Sequence, residues 1–538
     1  MAGDYQKILE KKNQSIRMYK EHAFQSGEIE GTDQNTRLLN LRNYIEKLRK
    51  GSYGKLNQLL LDEFGSLKIK YEEAQLTGRA KKRLLKIEDI VRLKPFHWGY
   101  EFDNVISEKG GFDAIITNPP WETFKPQAKE FFAQYSDLVT KNKMDIKTFE
   151  KQKKKMLQDK EVANAWLEYQ SQFPYVSLYY RSAEKYQNQI SVVNGRKQGT
   201  DINLYKLFVE QCFNLLRSNG YCGIIIPSGI YTDLGTKQLR EMLFTQTCLG
   251  NLFGLSNERF IFENVDHRFK FCLLDFEKGS QTESFKAAFR INPREAIRKE
   301  KLAAFLNDED EKIEISVPLT RRLSPDSISV MEFKNDVDIA IADKMARFPL
   351  LGEEIDGKWN LKLTREFDMT NDSQLFKTEP GKGRLPLYEG KMIHQFTHKW
   401  GEPKYWIDEK EGREKLLKRG QKDEGQILDY QRYRLGFREI ARNTDIRTMI
   451  STMLPQNIFA NHKLMMSNLD TSIISNVCLV YICSVLNSFV FDFLIRQKVT
   501  TSVSMFMFYQ LPIPRLTEKD SYFNEIVKRA AKLICTTP

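Results

Sequence analysis

The run Asn118-Pro119-Pro120-Trp121 carries the most specific chemistry in the chain. It directly follows Gly111-Phe-Asp-Ala-Ile-Ile-Thr117, an apolar run that reads as a buried strand. In open α/β sheets, ligand chemistry gathers at the carboxyl ends of the strands. Two consecutive prolines fix the backbone and remove two N–H donors. The Asn118 side-chain oxygen and the Pro119 carbonyl are both acceptors. Together they can hold the two N–H bonds of an exocyclic amino group, which leaves the amine lone pair free of ring conjugation. Trp121 adds a flat face on which a base lifted out of a duplex can stack, a contact worth about 1–3 kcal/mol. Without its flanks the same run is an ordinary proline-rich turn beside a core tryptophan. The strand before it and the aromatic after it favour the chemical reading.

Such a motif needs a sheet to hold it. Tyr221-Cys-Gly-Ile-Ile-Ile-Pro227, after the turn Ser218-Asn-Gly220, reads as a second buried strand, and Arg268–Phe276 as a third. Residues 204–216 between the first two have helical apolar spacing. Strands alternating with helices imply an α/β fold with a doubly wound sheet. Residues 1–92 form a highly charged helical segment, with apolar residues three and four apart at Leu41-Tyr44-Ile45-Leu48 and Leu56-Leu59-Leu60-Phe64. The predicted boundaries are 1–92 for these helices, 93–290 for the part bearing the motif, 291–360 for a polar, irregular connector and 361–538 for a second mixed α/β unit. Residues 141–160 hold eight lysines against three acids, the texture of a mobile or DNA-facing insertion.

Composition narrows the classes. Lys plus Arg exceed Asp plus Glu by 83 to 71, a net charge of +12 that suits nucleic acid without specifying it. Val477–Ile495 is the longest apolar stretch, but Ser484, Asn487, Ser488 and Asp492 break it, so a buried helix is expected and not a membrane span. The first residues lack a signal-peptide core, pointing to the cytoplasm. Seven cysteines form no CxxC pair, and no metal site is expected.

The stretch Gly111–Trp121 resembles the catalytic motif of adenine-N6 DNA methyltransferases of the gamma class. Extended back to Phe96-His-Trp-Gly-Tyr-Glu-Phe102, it resembles the large type IIG restriction–modification enzymes and related phage-defence methylases. The resemblance continues through Thr200–Glu210, Gly223–Ile230 and Phe262–Phe271. It implies a partial Rossmann-like, doubly wound methyltransferase sheet with an N-terminal helical insertion and a C-terminal target-recognition domain. It further implies methyl transfer from S-adenosylmethionine to adenine N6 in a specific double-stranded DNA sequence. Asn118 and Pro119 would orient the amine, Pro120 would stiffen the turn and Trp121 would stack the adenine. Phe262 is the candidate for the family's second aromatic base contact, and a core phenylalanine is the plain alternative.

Leu387–His394, Tyr433–Asp445, Leu486–Lys498 and Gln510–Pro514 resemble the family's recognition domain. Within them Tyr433, Arg434, Arg438, Arg442 and Arg447 form a basic series with interleaved aromatics, suited to phosphates and guanine edges or to a solvated basic face.

The family's cofactor loop, glycine-rich and preceded by a strand, should come before the motif. Gly27 and Gly31 follow no apolar strand, and Gly51 and Gly54 follow a basic helix. The Asp113 region is adjacent to the motif at most, and no cofactor-binding set is assigned. Three expectations stay open: a split methylase whose complementing chain binds the cofactor, a piece of a longer polypeptide with an N-terminal cofactor segment, or a non-catalytic DNA-binding remnant. Pro325-Asp326 with Glu332-Phe-Lys334 imitates a Mg²⁺ nuclease pattern, but the gap is short for two strands, and the stretch reads better as connector. His394 and His398 lack the glutamate a zinc hydrolase would place between them.

Overall fold

The computed structural model describes residues 2–24, 33–135, 146–193, 195–197, 201–417, 421–443, 445–468, 474–499 and 502–535. Gly27, Gly31, the lysine-rich stretch 141–145, Thr200 and Thr444 lie outside them. The chain is mixed α/β and divides into two compact units, Met1–Phe285 with Arg290–Leu306, and Lys286–Phe289 with Asn307–Pro538.

The first unit opens with α1 (Ala2–Phe24) and α2 (Asp33–Ser66). Gly51 and Gly54 sit inside α2, so neither forms a loop. A two-stranded hairpin, Tyr71–Glu73 with Lys81–Arg83, follows. Phe64 of α2 stacks on Tyr179 of α3 (Lys160–Ser182) at 4.4 Å between ring centres, in a core shared with Tyr71, Ile90 and Tyr175. The basic residues 146–156 form a helix anchored by Phe149, which packs with Phe131, Phe132 and Trp166.

The first unit's strands in the sheet that carries the motif include β1 (Phe112–Thr117), β2 (Leu216–Pro227), β3 (Thr247–Ser256) and β4 (Lys270–Lys278). Their order is β3-β4-β2-β1. β1 is parallel to β2, and β4 is antiparallel to both β2 and β3. β1, β2 and β3 therefore point the same way, and Thr117, Pro227 and Ser256 end on one side of the sheet. The chain reaches β2 through α4 (Leu204–Leu215) and β3 through α5 (Lys237–Gln246). β2 begins earlier than the apolar run suggests, because Asn219, at φ 60°, absorbs an irregularity in its pairing with β1. Gly111 allows this approach: a Cβ there would lie 2.5 Å from the Leu215 carbonyl oxygen.

The expected irregular connector 291–360 contains regular elements, among them helices Lys299–Asn307, Val317–Leu323 and Asp336–Ala346. Side-chain caps start two of them: Ser316 accepts from the Leu319 N–H and Asn335 from the Asp338 N–H. They are short, and dense charge hides their periodicity.

In the second unit, β5 (Lys362–Thr364), β6 (Arg384–Tyr388), β7 (Tyr405–Asp408), β8 (Arg434–Arg438), β9 (Ser451–Leu454), β10 (Phe459–Ala460) and β11 (Leu464–Asn468) build two sheets. Their orders are β5-β11-β8-β9 and β7-β6-β10. The apolar stretch expected as one helix is two, α6 (Asn476–Leu486) and α7 (Phe489–Lys498), bent by 66°. The break has a local cause. The Asn487 amide bonds the Ser451 backbone in both directions, at 3.1 and 2.9 Å, and Ser488 caps α7. Among the described residues no single helix is long and apolar enough to cross a membrane.

Candidate base-binding site

Asn118 stands one residue past the end of β1, exposed and without a hydrogen-bond partner among the described residues. Pro119 is buried and Pro120 exposed. The Trp121 indole is fixed: its Nε1–H donates to the Ile225 carbonyl of β2 at 3.2 Å. The backbone just beyond is strapped to the approach of α4. Leu204 N–H donates to the Glu122 carbonyl at 3.0 Å, and Phe124 N–H to the Ile202 carbonyl at 2.7 Å. Thr123 Oγ1 donates to Asn203 Oδ1 at 3.0 Å. The motif is thus held on both sides while its one amide side chain stays open.

Phe262 and Trp121 come together. Their ring centres lie 5.3 Å apart, edge to face. Phe269 and Phe271 lie nearly parallel to the indole, with centres at 5.5 and 6.0 Å. Phe262 is therefore not an isolated core residue but one wall of an aromatic frame around Trp121. Sequence reading missed Phe269 and Phe271, although both lie in the quoted Phe262–Phe271 stretch, where alternation along β4 signals that they share a face.

Asp113 does not join the site. It is the second residue of β1, so about 16 Å of extended strand separates it from Asn118 at ~3.3 Å per residue. Arg217 sits 2.7 Å from its carboxylate and holds that carboxyl below its ordinary range.

β1 is an edge strand, paired on one side only among the described residues. Ile116 is 91% exposed, and Asp113 and Ala114 are exposed as well. Clefts of 650 and 590 Å³ lie among the N-terminal helices, and neither is lined by Asn118 or Trp121. Gly110 and Gly111 have positive φ but precede β1, at its amino end. Neither these clefts nor these glycines lie where they could hold S-adenosylmethionine beside the motif.

The basic series is dispersed. Arg434 is fully buried in β8, where its guanidinium lies 2.6 Å from Glu366 and donates to the Ile458 carbonyl at 2.7 Å. That placement is structural: β8 is covered on both faces, so Arg434 lies on no surface and cannot contact DNA as the basic series led one to expect. Arg438 is half-buried at the other end of β8, its stem against Gly390. Tyr433 and Arg442 are exposed. Arg447 donates to the Asn487 carbonyl and lies over the Phe489 ring at 4.3 Å, and that ring is 81% exposed. Burial raises the Glu366 carboxyl despite Arg434. Arg434→Met would strand this buried carboxylate, a loss of about 3–5 kcal/mol. The expected result is a clearly lower melting temperature by calorimetry, and an unchanged transition would contradict the buried pair.

Of the nuclease-like set, Asp326 accepts from the Gln510 amide at 3.2 Å. His394 and His398 flank a turn closed by the His394 N–H and the Thr397 carbonyl, not a helix.

Residues 29–166 and 174–262 match the Eco57I restriction-modification methylase family. The match contains Asn118–Trp121 and ends at Phe262. Over 200 residues the chain is 25% identical to a Methanocaldococcus jannaschii protein named as a type II restriction enzyme and methyltransferase; this covers 37% of the chain and 11% of that protein. Two similar solved structures are a nuclease-deletion mutant of the Type ISP restriction-modification enzyme LlaGI and the type IIG restriction endonuclease BpuSI. LlaGI gives 11% identity and a TM-score of 0.38, over 84% of this chain and 45% of that one. BpuSI gives 13% and 0.27, over 63% and 45%. At these values neither structure bears on function. The chain spans less than half the length of each of these proteins.

Proposed function

We propose that this chain is the target-base and DNA-recognition part of a restriction–modification DNA methyltransferase that modifies adenine N6. The observation that carries the reading is the open Asn118 amide at the end of β1 beside the ring frame of Trp121, Phe262 and Phe269. Adenine lifted from the duplex stacks against this frame. Its amino group donates one N–H to Asn118 Oδ1 and the other to the Pro119 carbonyl, which turns the nitrogen lone pair out of the ring plane. The family match over the same residues supports the reading. The enclosing sheet is then a partial, doubly wound methylase sheet, and the second unit supplies sequence recognition.

The methyl donor of such a reaction is S-adenosylmethionine, and we take its cradle to come from outside the described residues. The open edge of β1 supports this, because a further parallel strand there would bring a glycine-rich loop level with Asn118. That strand belongs to a complementing chain or to a preceding segment of the same polypeptide. The same open edge favours the second reading, a DNA-binding half inactive by itself. Methyl incorporation into duplex DNA separates the two, measured with the chain alone and with the product of any adjacent upstream frame found to encode a glycine-rich strand–loop.

DNA contact falls to the exposed members of the basic series, Tyr433 and Arg442. The full chain should bind duplex DNA with affinity that drops steeply between low and moderate salt, because phosphate contacts release counterions. Arg442→Ala should flatten that salt dependence by about one contact. Anisotropy titrations at several salt concentrations measure both, and salt-independent binding would remove the assignment.

A further inference from the structure

The loop between β3 and β4, residues 257–269, bears Phe262 and ends at Phe269, two of the rings around Trp121. One side chain organises it. Asn257 is fully buried. Its Oδ1 accepts the Phe262 N–H at 2.9 Å, and its Nδ2 donates to the carbonyls of Phe262 and Val265, both at 2.9 Å. Its backbone N–H donates to the Phe269 carbonyl at 2.9 Å, and its own carbonyl accepts the Phe260 N–H at 2.7 Å. Phe260 is held at φ 51°, which completes the turn that brings Phe262 back toward Trp121. The loop's charged pairs, Glu258 with His267 and Asp266 with Arg268, are on its outside and leave this buried amide as its internal brace.

We propose that Asn257 is a positioning residue for base binding: its side-chain amide sets Phe262 at the spacing from Trp121 that a stacked adenine requires, while its backbone N–H ties down the Phe269 end of the loop. This rests on the methyltransferase reading. No other side-chain type presents an acceptor and two donors from so short a stem. Alanine would leave the Phe262 N–H and two carbonyls without their partner, and the loop would settle elsewhere. A shift of about 1 Å in such a frame can cost about 100-fold in rate.

The test uses the full chain with the upstream-encoded product, and genomic DNA from a methylation-free host as substrate, so the recognised sequence need not be known. Asn257→Ala is expected to lower kcat about 10- to 100-fold, with KM for DNA changed less than about threefold. Asn257→Asp keeps the shape and the acceptor but loses both donors. It should share the kcat loss, and it stands in if the alanine variant does not fold. Phe262→Ala added to either variant should cost little more, because both changes remove the same ring placement. Fully additive losses, or activity within twofold of wild type, would overturn the proposal. Trp121 emission, obtained by subtracting the Trp121→Phe spectrum, gives a readout that needs no catalysis. It should shift in both Asn257 variants, and an unchanged spectrum would also overturn the proposal. If the wild type itself transfers no methyl group, that counts against the methyltransferase reading, while the emission still decides whether Asn257 places the rings.

Discussion

Replacing Asn118 by alanine should lower methyl transfer about 100-fold or more, the usual cost of removing one preorganised polar group from a reacting centre. The side chain is exposed, free of hydrogen-bond partners among the described residues and one residue beyond β1, so its loss removes no interaction that holds the fold. Melting temperature and DNA affinity should therefore stay close to wild type. This separates Asn118 from Arg434, whose loss is expected to act on stability. Methyl incorporation measured beside a melting curve and a binding isotherm makes the distinction. Retained transfer would sink the assignment of the amine-orienting role, whatever happened to binding.

The second large effect concerns the cofactor. Among the described residues no strand pairs with the outer edge of β1, and the methionine carboxylate and ribose hydroxyls of S-adenosylmethionine need a close backbone approach and a carboxylate partner. Calorimetry on the chain alone should register weak binding or none. Adding the product of the upstream frame should restore micromolar binding. The edge of β1 gives a direct handle on this. Ile116 is 91% exposed on a strand with unpaired backbone groups, the situation in which a strand recruits a neighbour or aggregates. Ile116→Lys should keep the isolated chain soluble and weaken complementation at least tenfold, since charged side chains discourage strand pairing at an edge. Micromolar binding by the chain alone would show a cradle within the N-terminal helices or outside the described residues.

The sequence disclosed the motif because the signal is local. A strand, two prolines and an aromatic ring in direct succession leave few other readings, and β1 ends where the apolar run ends, at Thr117. Phe262 is within reach because Phe262–Phe271 resembles the stretch that bears the family's second aromatic base contact. Asn257 was not. An asparagine between a strand and a turn looks like any loop residue, and only three-dimensional closure shows that its amide bonds Phe262 and Val265. Arg434 escaped for a related reason. A strand with both faces covered shows no polar alternation, so its arginine reads as surface until Glu366, 68 residues earlier, closes on it. The split of the apolar stretch into α6 and α7 depends likewise on Ser451, distant in sequence from Asn487. What stayed hidden is polar pairing closed only in three dimensions, which no spacing rule records.

The central claim, that the Asn118 site methylates adenine N6, meets its most direct test in DNA recovered from methylation-free cells that express this chain with its upstream neighbour. Digestion to nucleosides and mass spectrometry should find N6-methyladenine with the wild-type chain and a level near background with Asn118→Ala. Absence of N6-methyladenine with the wild-type pair, methylation found on cytosine instead, or an equal yield from the Asn118 variant would contradict it.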